Sequence, residues 1–210
     1  MTNHDSIISF DCVRTYRNNK VVRSALEQSR LEELSAGDVV LQTLYAGINY
    51  KDSLAISGAA PIIASYPRIA GIEAVGVVQA SSNAAFQAGD LVLVHGHGTG
   101  VTHDGGFSAV MRVPSEHLQL VPQGLNAFEC AMLGVPAFSV AMALEKFEQA
   151  GLEKDSSLIA VSGATGAVGM LAIAILSVAG YRVAAITRRM ENTPMLKALG
   201  AIDVIDAAVL

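Results

Sequence analysis

Apolar and polar positions follow two different rhythms along the chain. Over residues 7–121, short β-branched and aliphatic runs alternate with Gly, Asp, Pro and Asn, which predicts strands at 7–15, 21–26, 38–48, 74–80, 91–94, 106–113 and 118–121. Their even spacing predicts a partly open antiparallel barrel. A short helix over 49–57, stopped by Gly58, interrupts the strands. The rhythm changes at Pro122. Asn126 can cap a short helix at 127–133, and Pro136 suits the first turn of a longer one that runs to Ala150 and ends at Gly151. Strand 157–162, helix 167–179, strand 182–187, helix 191–199 and strand 203–205 then follow with short connections, Gly180 and Gly200 ending the helices. That β-α-β-α-β order is the first half of a doubly wound parallel sheet, so the chain reads as α/β, with one domain at 1–122 and a second, partial one at 123–210.

The run Leu158-Ile-Ala-Val-Ser-Gly-Ala-Thr-Gly-Ala-Val-Gly169 carries the chemistry of the second domain. An apolar strand breaks into closely spaced glycines and resumes as an apolar helix, whose N-terminal N–H groups lack partners and can receive a pyrophosphate. Gly163, Ala164, Thr165, Gly166, Ala167, Val168 and Gly169 are therefore the candidate dinucleotide turn, in the frame A-x-G-x-x-G. The alternative is a tight turn with no ligand. About 20 residues beyond such a turn, NAD enzymes usually place an acid for the ribose hydroxyls. This chain has Thr187, Arg188 and Arg189 there. A carboxylate repels a 2′-phosphate and a guanidinium binds it, so these residues point to NADPH. The competing reading makes both arginines solvent contacts at a helix start.

Several stretches resemble one known family: Ile48-Asn-Tyr-Lys-Asp-Ser-Leu-Ala-Ile-Ser-Gly58, Tyr66-Pro-Arg-Ile-Ala-Gly-Ile-Glu-Ala-Val-Gly-Val-Val78, Gly105-Gly-Phe-Ser-Ala109, Ala143-Leu-Glu145 and Val161 to Gly169. They are similar, in order, to the zinc-free quinone-oxidoreductase branch of the medium-chain dehydrogenase/reductase superfamily, and within it to acrylyl-CoA reductase-like proteins. The resemblance implies a GroES-like catalytic barrel at 1–122, a Rossmann-type nucleotide domain begun at 123–210, and NADPH-dependent hydride transfer to an activated double bond or a quinone. It also implies a 2′-phosphate role for Thr187 and Arg189. Asn49 and Tyr50 head the densest polar cluster between apolar runs, directly after a predicted strand, and are the candidate catalytic residues. Their neighbours Lys51 and Asp52 read equally well as a surface ion pair at a helix start. Departures from the family pattern are Ala70 for proline, Ala167 for glycine, Val135-Pro-Ala137 for Thr-Ala-Gly, and His97 and Asp104 at places where tryptophan is frequent.

Composition narrows the picture. A net charge of −5 gives no basic field for a nucleic acid, and two cysteines without a C-x-x-C neighbour predict neither a disulfide framework nor a cysteine-built zinc site. His95, His97 and His103 have H-x-H spacing, but no third ligand is evident, and zinc-dependent relatives use cysteine and histidine where this chain has the Asn49-Tyr50 region and Ile72. No metal is expected; His95 and His97 are assigned to the substrate cleft or a mobile loop. Residues 156–181 are apolar enough for a bilayer, yet glycines divide them into a strand and a helix, so no membrane span is expected. The start has no apolar targeting core, which makes the cytoplasm the expected address. Only about 40 residues follow Gly169, fewer than a complete nucleotide-binding sheet needs. Two readings stay open: a reductase of small enoyl thioesters or quinones, completed by further sequence or by pairing through an exposed sheet edge as in a homodimer, and a truncated, non-catalytic paralogue that acts at most as a nucleotide-binding or interaction module.

Overall fold

A computed structural model describes residues 9–154 and 156–210. The chain divides into two compact units, one ending at Gly134 and the other spanning Val135–Leu210.

The first unit is built on antiparallel strands. β1 (Phe10–Asn18) and β2 (Val21–Ser29) form a hairpin, and β1 also pairs with β4 (Arg68–Ile69). A five-stranded sheet follows the order β7 (Val110–Val113), β3 (Val39–Tyr45), β5 (Glu73–Ser81), β6 (Leu91–His95), β8 (Leu118–Leu120). Alternate residues of these strands, among them Val39, Leu41, Val78, Val92, Val94 and Met111, bury their side chains in one core. A second cluster gathers Phe10, Cys12, Leu34 and Ile69. The predicted strands are present with shifted ends, and residues 7 and 8 of the first lie outside the described residues. β4 escaped the pattern, since two residues cannot show a period.

Helix α1 (Tyr50–Ser57) ends as expected at Gly58, whose φ of 70° and ψ of 16° give the left-handed cap that glycine adopts without strain. The helical run α2 (Ala127–Gln149) contains Gly134 at φ 52° and ψ −162°, so it consists of two helices broken there, with Pro136 in the first turn of the second. Among the described residues this is the one run long and apolar enough to cross a membrane, by length and composition alone, and the break at Gly134 interrupts it.

In the second unit, β9 (Leu158–Ser162), β10 (Arg182–Thr187) and β11 (Asp203–Asp206) form a parallel sheet in the order β11-β10-β9. Helices α3 (Ala167–Val178) and α4 (Thr193–Ala198) supply the crossovers, and Ile173, Leu176, Val183, Ala185 and Leu196 form the buried centre. The helix predicted at 191–199 is shorter: Pro194 sits in the first turn of α4, and a 3-10 turn at Met190–Asn192 precedes it.

Candidate active site

At the carboxyl ends of the three parallel strands lies a cavity of about 600 Å³, lined by Ser162, Gly163, Thr165, Gly166, Ile186, Thr187, Arg188, Arg189 and Ala207. This is where an open parallel sheet places a ligand, because the strand ends and helix N-termini converge there. Gly163 makes the turn out of β9 at φ 61°, and Gly166 caps α3 without a side chain on its N–H groups. Gly169 has a different task. A Cβ on it would overlap the Gly163 carbonyl oxygen and stand 2.8 Å from the Ala164 Cα, so only glycine lets α3 lie against the turn. Ala164 is wholly buried and donates its N–H to the Ile186 carbonyl at 3.3 Å, which ties the turn to β10. Ala167 opens α3, while Val168 is half exposed on its first turn.

The predicted phosphate site stands on the same cavity. Thr187 is buried at the end of β10 and its Oγ1 accepts the Arg189 N–H at 3.0 Å, which bends the chain so that both arginines reach the rim. Among the described residues neither guanidinium is in an ion pair, and none of the lining residues is acidic. The cavity therefore offers helix N–H groups at one end and two unneutralised cations at the other. These residues fit a phosphorylated dinucleotide: small at the turn, donor-rich, and open where a Cβ would intrude. Sequence reasoning missed Ser162, Ile186 and Ala207 as lining residues, although the strand-end rule marks the last residues of β9 and β10 and the residue after β11.

Asn49 and Tyr50 lie in the first unit. Asn49 precedes α1 and donates its Nδ2 to Glu73 Oε1 at 2.6 Å. Glu73 is buried at the start of β5, directly across the ladder from His95 of β6, whose Nε2 lies 3.6 Å from its other oxygen. Gly47 and Gly134 close round the same carboxylate: a Cβ on either would overlap it, the one on Gly134 at 2.6 Å from Oε2. A carboxylate accepts hydrogen bonds, so the amide nitrogen of Asn49 faces Glu73 and its Oδ1 is turned elsewhere. Burial holds the His95 imidazole below its ordinary value, against the opposing pull of Glu73. Tyr50 is largely exposed and its ring is free for contact.

Asp52 corrects the expectation of a surface ion pair. It is almost wholly buried, and accepts the N–H groups of Asn49 at 2.8 Å and Ile72 at 3.0 Å. One carboxylate thus fastens the start of α1 to the segment leading into β5, which carries Glu73. Burial pushes the Asp52 carboxyl up, and the two N–H groups oppose it. Lys51 stays exposed. The three loop histidines separate: His95 joins Glu73, while His97 and His103 gather around His117, which the sequence did not single out. Among the described residues no group of three His, Cys, Asp or Glu side chains is arranged to hold a metal ion.

Known proteins resemble this chain in sequence and fold. The alcohol dehydrogenase GroES-like domain family matches residues 35–123. YhfP of Bacillus subtilis, provisionally named a quinone oxidoreductase, is 36% identical over 93% of this chain and 59% of its own, and its crystal structure with NAD bound superposes with a TM-score of 0.90. This chain's close homologues belong to the medium-chain dehydrogenase/reductase superfamily. Within it, the acrylyl-CoA reductase AcuI of Ruegeria pomeroyi is 34% identical over 87% of this chain and 56% of its own. The YhdH oxidoreductase of Salmonella enterica, crystallised with NADP, is 33% identical, with a TM-score of 0.91 over 95% of this chain and 61% of its own. The chain therefore spans between 56% and 61% of the lengths of these family members.

Proposed function

We propose that the chain carries the catalytic domain, 1–122, and the first half of the nucleotide-binding domain, 123–210, of an NADPH-dependent reductase of activated double bonds, acting on an acrylyl-CoA-type enoyl thioester or on a quinone. The observation that carries this reading is the cavity in which a glycine turn, a helix N-terminus and two unpaired guanidinium groups share a wall without any carboxylate. The turn residues from Gly163 to Gly169 hold the pyrophosphate, and Thr187, Arg188 and Arg189 hold the 2′-phosphate. The name of AcuI, an acrylyl-CoA reductase, and the NADP bound to YhdH support the choice, whereas YhfP was crystallised with NAD.

When bound, NADPH supplies the hydride. This chain's own residues bind, orient and stabilise. Reduction of an enoyl thioester at its β-carbon builds negative charge on the carbonyl oxygen, and preorganised donors must meet it there. Tyr50, exposed beside Asn49, is such a donor and its hydroxyl the candidate proton source for the α-carbon, while Asn49, its amide nitrogen held by Glu73, meets the nicotinamide and substrate beside it. Asp52 keeps both at a fixed place by anchoring the start of α1.

Calorimetry of NADPH and NADH on this chain tests the cofactor assignment. NADPH binds more tightly, and Arg189→Ala removes most of that preference while leaving NADH binding near its original level. An unchanged NADPH/NADH ratio in the variant overturns the phosphate site. A second reading has one observation in its favour: β9 is the edge of its sheet, and Leu158 at its start is 54% exposed. On that reading the chain alone is a nucleotide-binding or interaction module without turnover. NADPH oxidation with acryloyl-CoA or a quinone separates the two, since binding without oxidation favours the module.

A further inference from the structure

Three imidazoles other than His95 come together in the first unit. His97 stacks on His117 with ring centroids 4.9 Å apart and planes 12° from parallel, and His103 meets His117 edge-on at 5.5 Å. His97 and His103 belong to the loop between β6 and β7, while His117 ends a 3-10 turn between β7 and β8. Elsewhere the loop is tied by backbone, Gly96 donating to the Ile72 carbonyl at 3.0 Å and the Val101 carbonyl accepting the Ala64 N–H at 3.1 Å. It is wound on itself through the Gly98 carbonyl, which accepts N–H groups from Val101, Thr102 and His103. It also contains glycines of positive φ at 96, 98 and 100, and His97 itself has φ 49°, a left-handed conformation that a non-glycine residue adopts only when its surroundings hold it there.

Two nearly parallel rings cannot aim their lone pairs at one ion, so the stack is not a metal site as it stands. What it can sense is protons. Stacking neutral imidazoles is favourable, whereas two imidazolium rings at this spacing repel each other. The titratable groups facing His117 are His97 and His103 from the loop and Glu116 from its own turn, whose Oε1 lies 3.6 Å from His117 Nε2. Glu116 is exposed, so its compensation is screened by water. Thr102 Oγ1 shares a hydrogen bond with His103 Nδ1 at 3.1 Å, which fixes that ring toward the cluster.

We propose that the His97–His117–His103 cluster is a proton-sensitive clasp that fastens the 96–103 loop to the β7–β8 connection at neutral pH and releases it on mild acidification. Burial, and next the neighbouring imidazoles, hold His117 below its ordinary value, so the closed loop binds fewer protons than the open one. By linkage, closure is favoured above the ordinary histidine range and weakens as pH falls through it. The loop is a continuation of the strand that ends in His95, and the backbone of Gly100 and Gly105 packs on Gly71, two residues before Glu73. Release of the clasp therefore loosens the cover on the segment leading into Glu73.

Hydrogen exchange on the whole chain, read by NMR between pH 7.5 and 5.5 and corrected for intrinsic exchange, tests this without any need for turnover. Protection of the Val101, Thr102 and His103 amides is expected to drop severalfold relative to amides of the β3–β5 ladder as the pH falls through the ordinary histidine range. In His117→Phe, a ring that still stacks but does not titrate, protection of the loop stays level across the range. In His97→Phe the drop shrinks for the same reason. Level protection in the native chain overturns the proposal, and so does an undiminished drop in both phenylalanine variants.

Discussion

At the scale of single residues, the two candidate sites depend on small groups that let larger ones approach. Gly169 is the clearest case, because its missing Cβ is what allows α3 to rest on the Gly163–Ala164 backbone. Gly169→Ala is expected to destabilise the second unit by about 1–3 kcal/mol, the usual cost of forcing one carbon into a packed contact. Urea unfolding followed by a probe in that unit would show it, and NADPH affinity would fall with it. An unaltered midpoint would mean that the contact relaxes at no cost. Asp52 is the corresponding residue in the first unit. Asp52→Asn replaces one accepting oxygen by a donor and leaves one of the two N–H groups, of Asn49 or Ile72, facing an amide nitrogen. A loss of about 1–3 kcal/mol follows from a buried donor left unpaired. The neighbouring Lys51→Ala, on an exposed side chain, should change stability by well under that amount in the same assay.

At the scale of elements, the ladder between β5 and β6 couples the site to pH. Glu73 and His95 are partners in register, so the strand pairing itself delivers the imidazole to the carboxylate. Because burial lowers His95 in the folded chain, the unfolded chain binds the extra proton first as pH falls. Stability should then be level above the ordinary histidine value and decline as pH drops through it. His95→Gln removes its share of that decline, while Glu73→Gln, by deleting the opposing charge, steepens it. Unfolding midpoints from pH 8 to 5 measure both, and equal slopes in all three chains would refute the coupling. How much of this was legible beforehand follows from what carries a local signal. The ends of α1 and α3, the break before Pro136 and the whole β-α-β-α-β succession were legible because Gly58, Gly180, Pro136 and the glycine turn act within a few residues of where they stand. The burial of Asp52 was not, since its cap on the Asn49 N–H is local but the Ile72 N–H that it also accepts is 20 residues away and is brought to it only by the fold. His117 joined His97 and His103 for the same reason. A residue whose role rests on a long-range approach leaves no mark in its own neighbourhood.

At the scale of the whole chain, the unsatisfied feature is the free side of β9. A parallel sheet normally buries both faces and every strand but the outermost, and outermost strands are usually shielded by charge, proline or a bulge. The strand Leu158-Ile-Ala-Val-Ser162 has none of these. Its pattern of exposure, with Leu158, Ala160 and Ser162 open and Val161 buried, leaves one face of the strand uncovered beside its unpaired edge. Exposed Val178 at the end of α3, 91% accessible, adds apolar surface to the same unit. The net charge of −5 is the main opposition to self-association, and salt would weaken it. Sedimentation velocity over a range of concentrations should therefore find the chain associating, more so at high salt. Leu158→Lys, which sets a charge at the start of the edge strand without touching a buried residue, should restore a single slow species and leave the unfolding midpoint within about 0.5 kcal/mol of the original. A native chain that stays monomeric at high concentration and high salt would show that the edge is protected by other means. A variant that still associates would move the contact to some other surface.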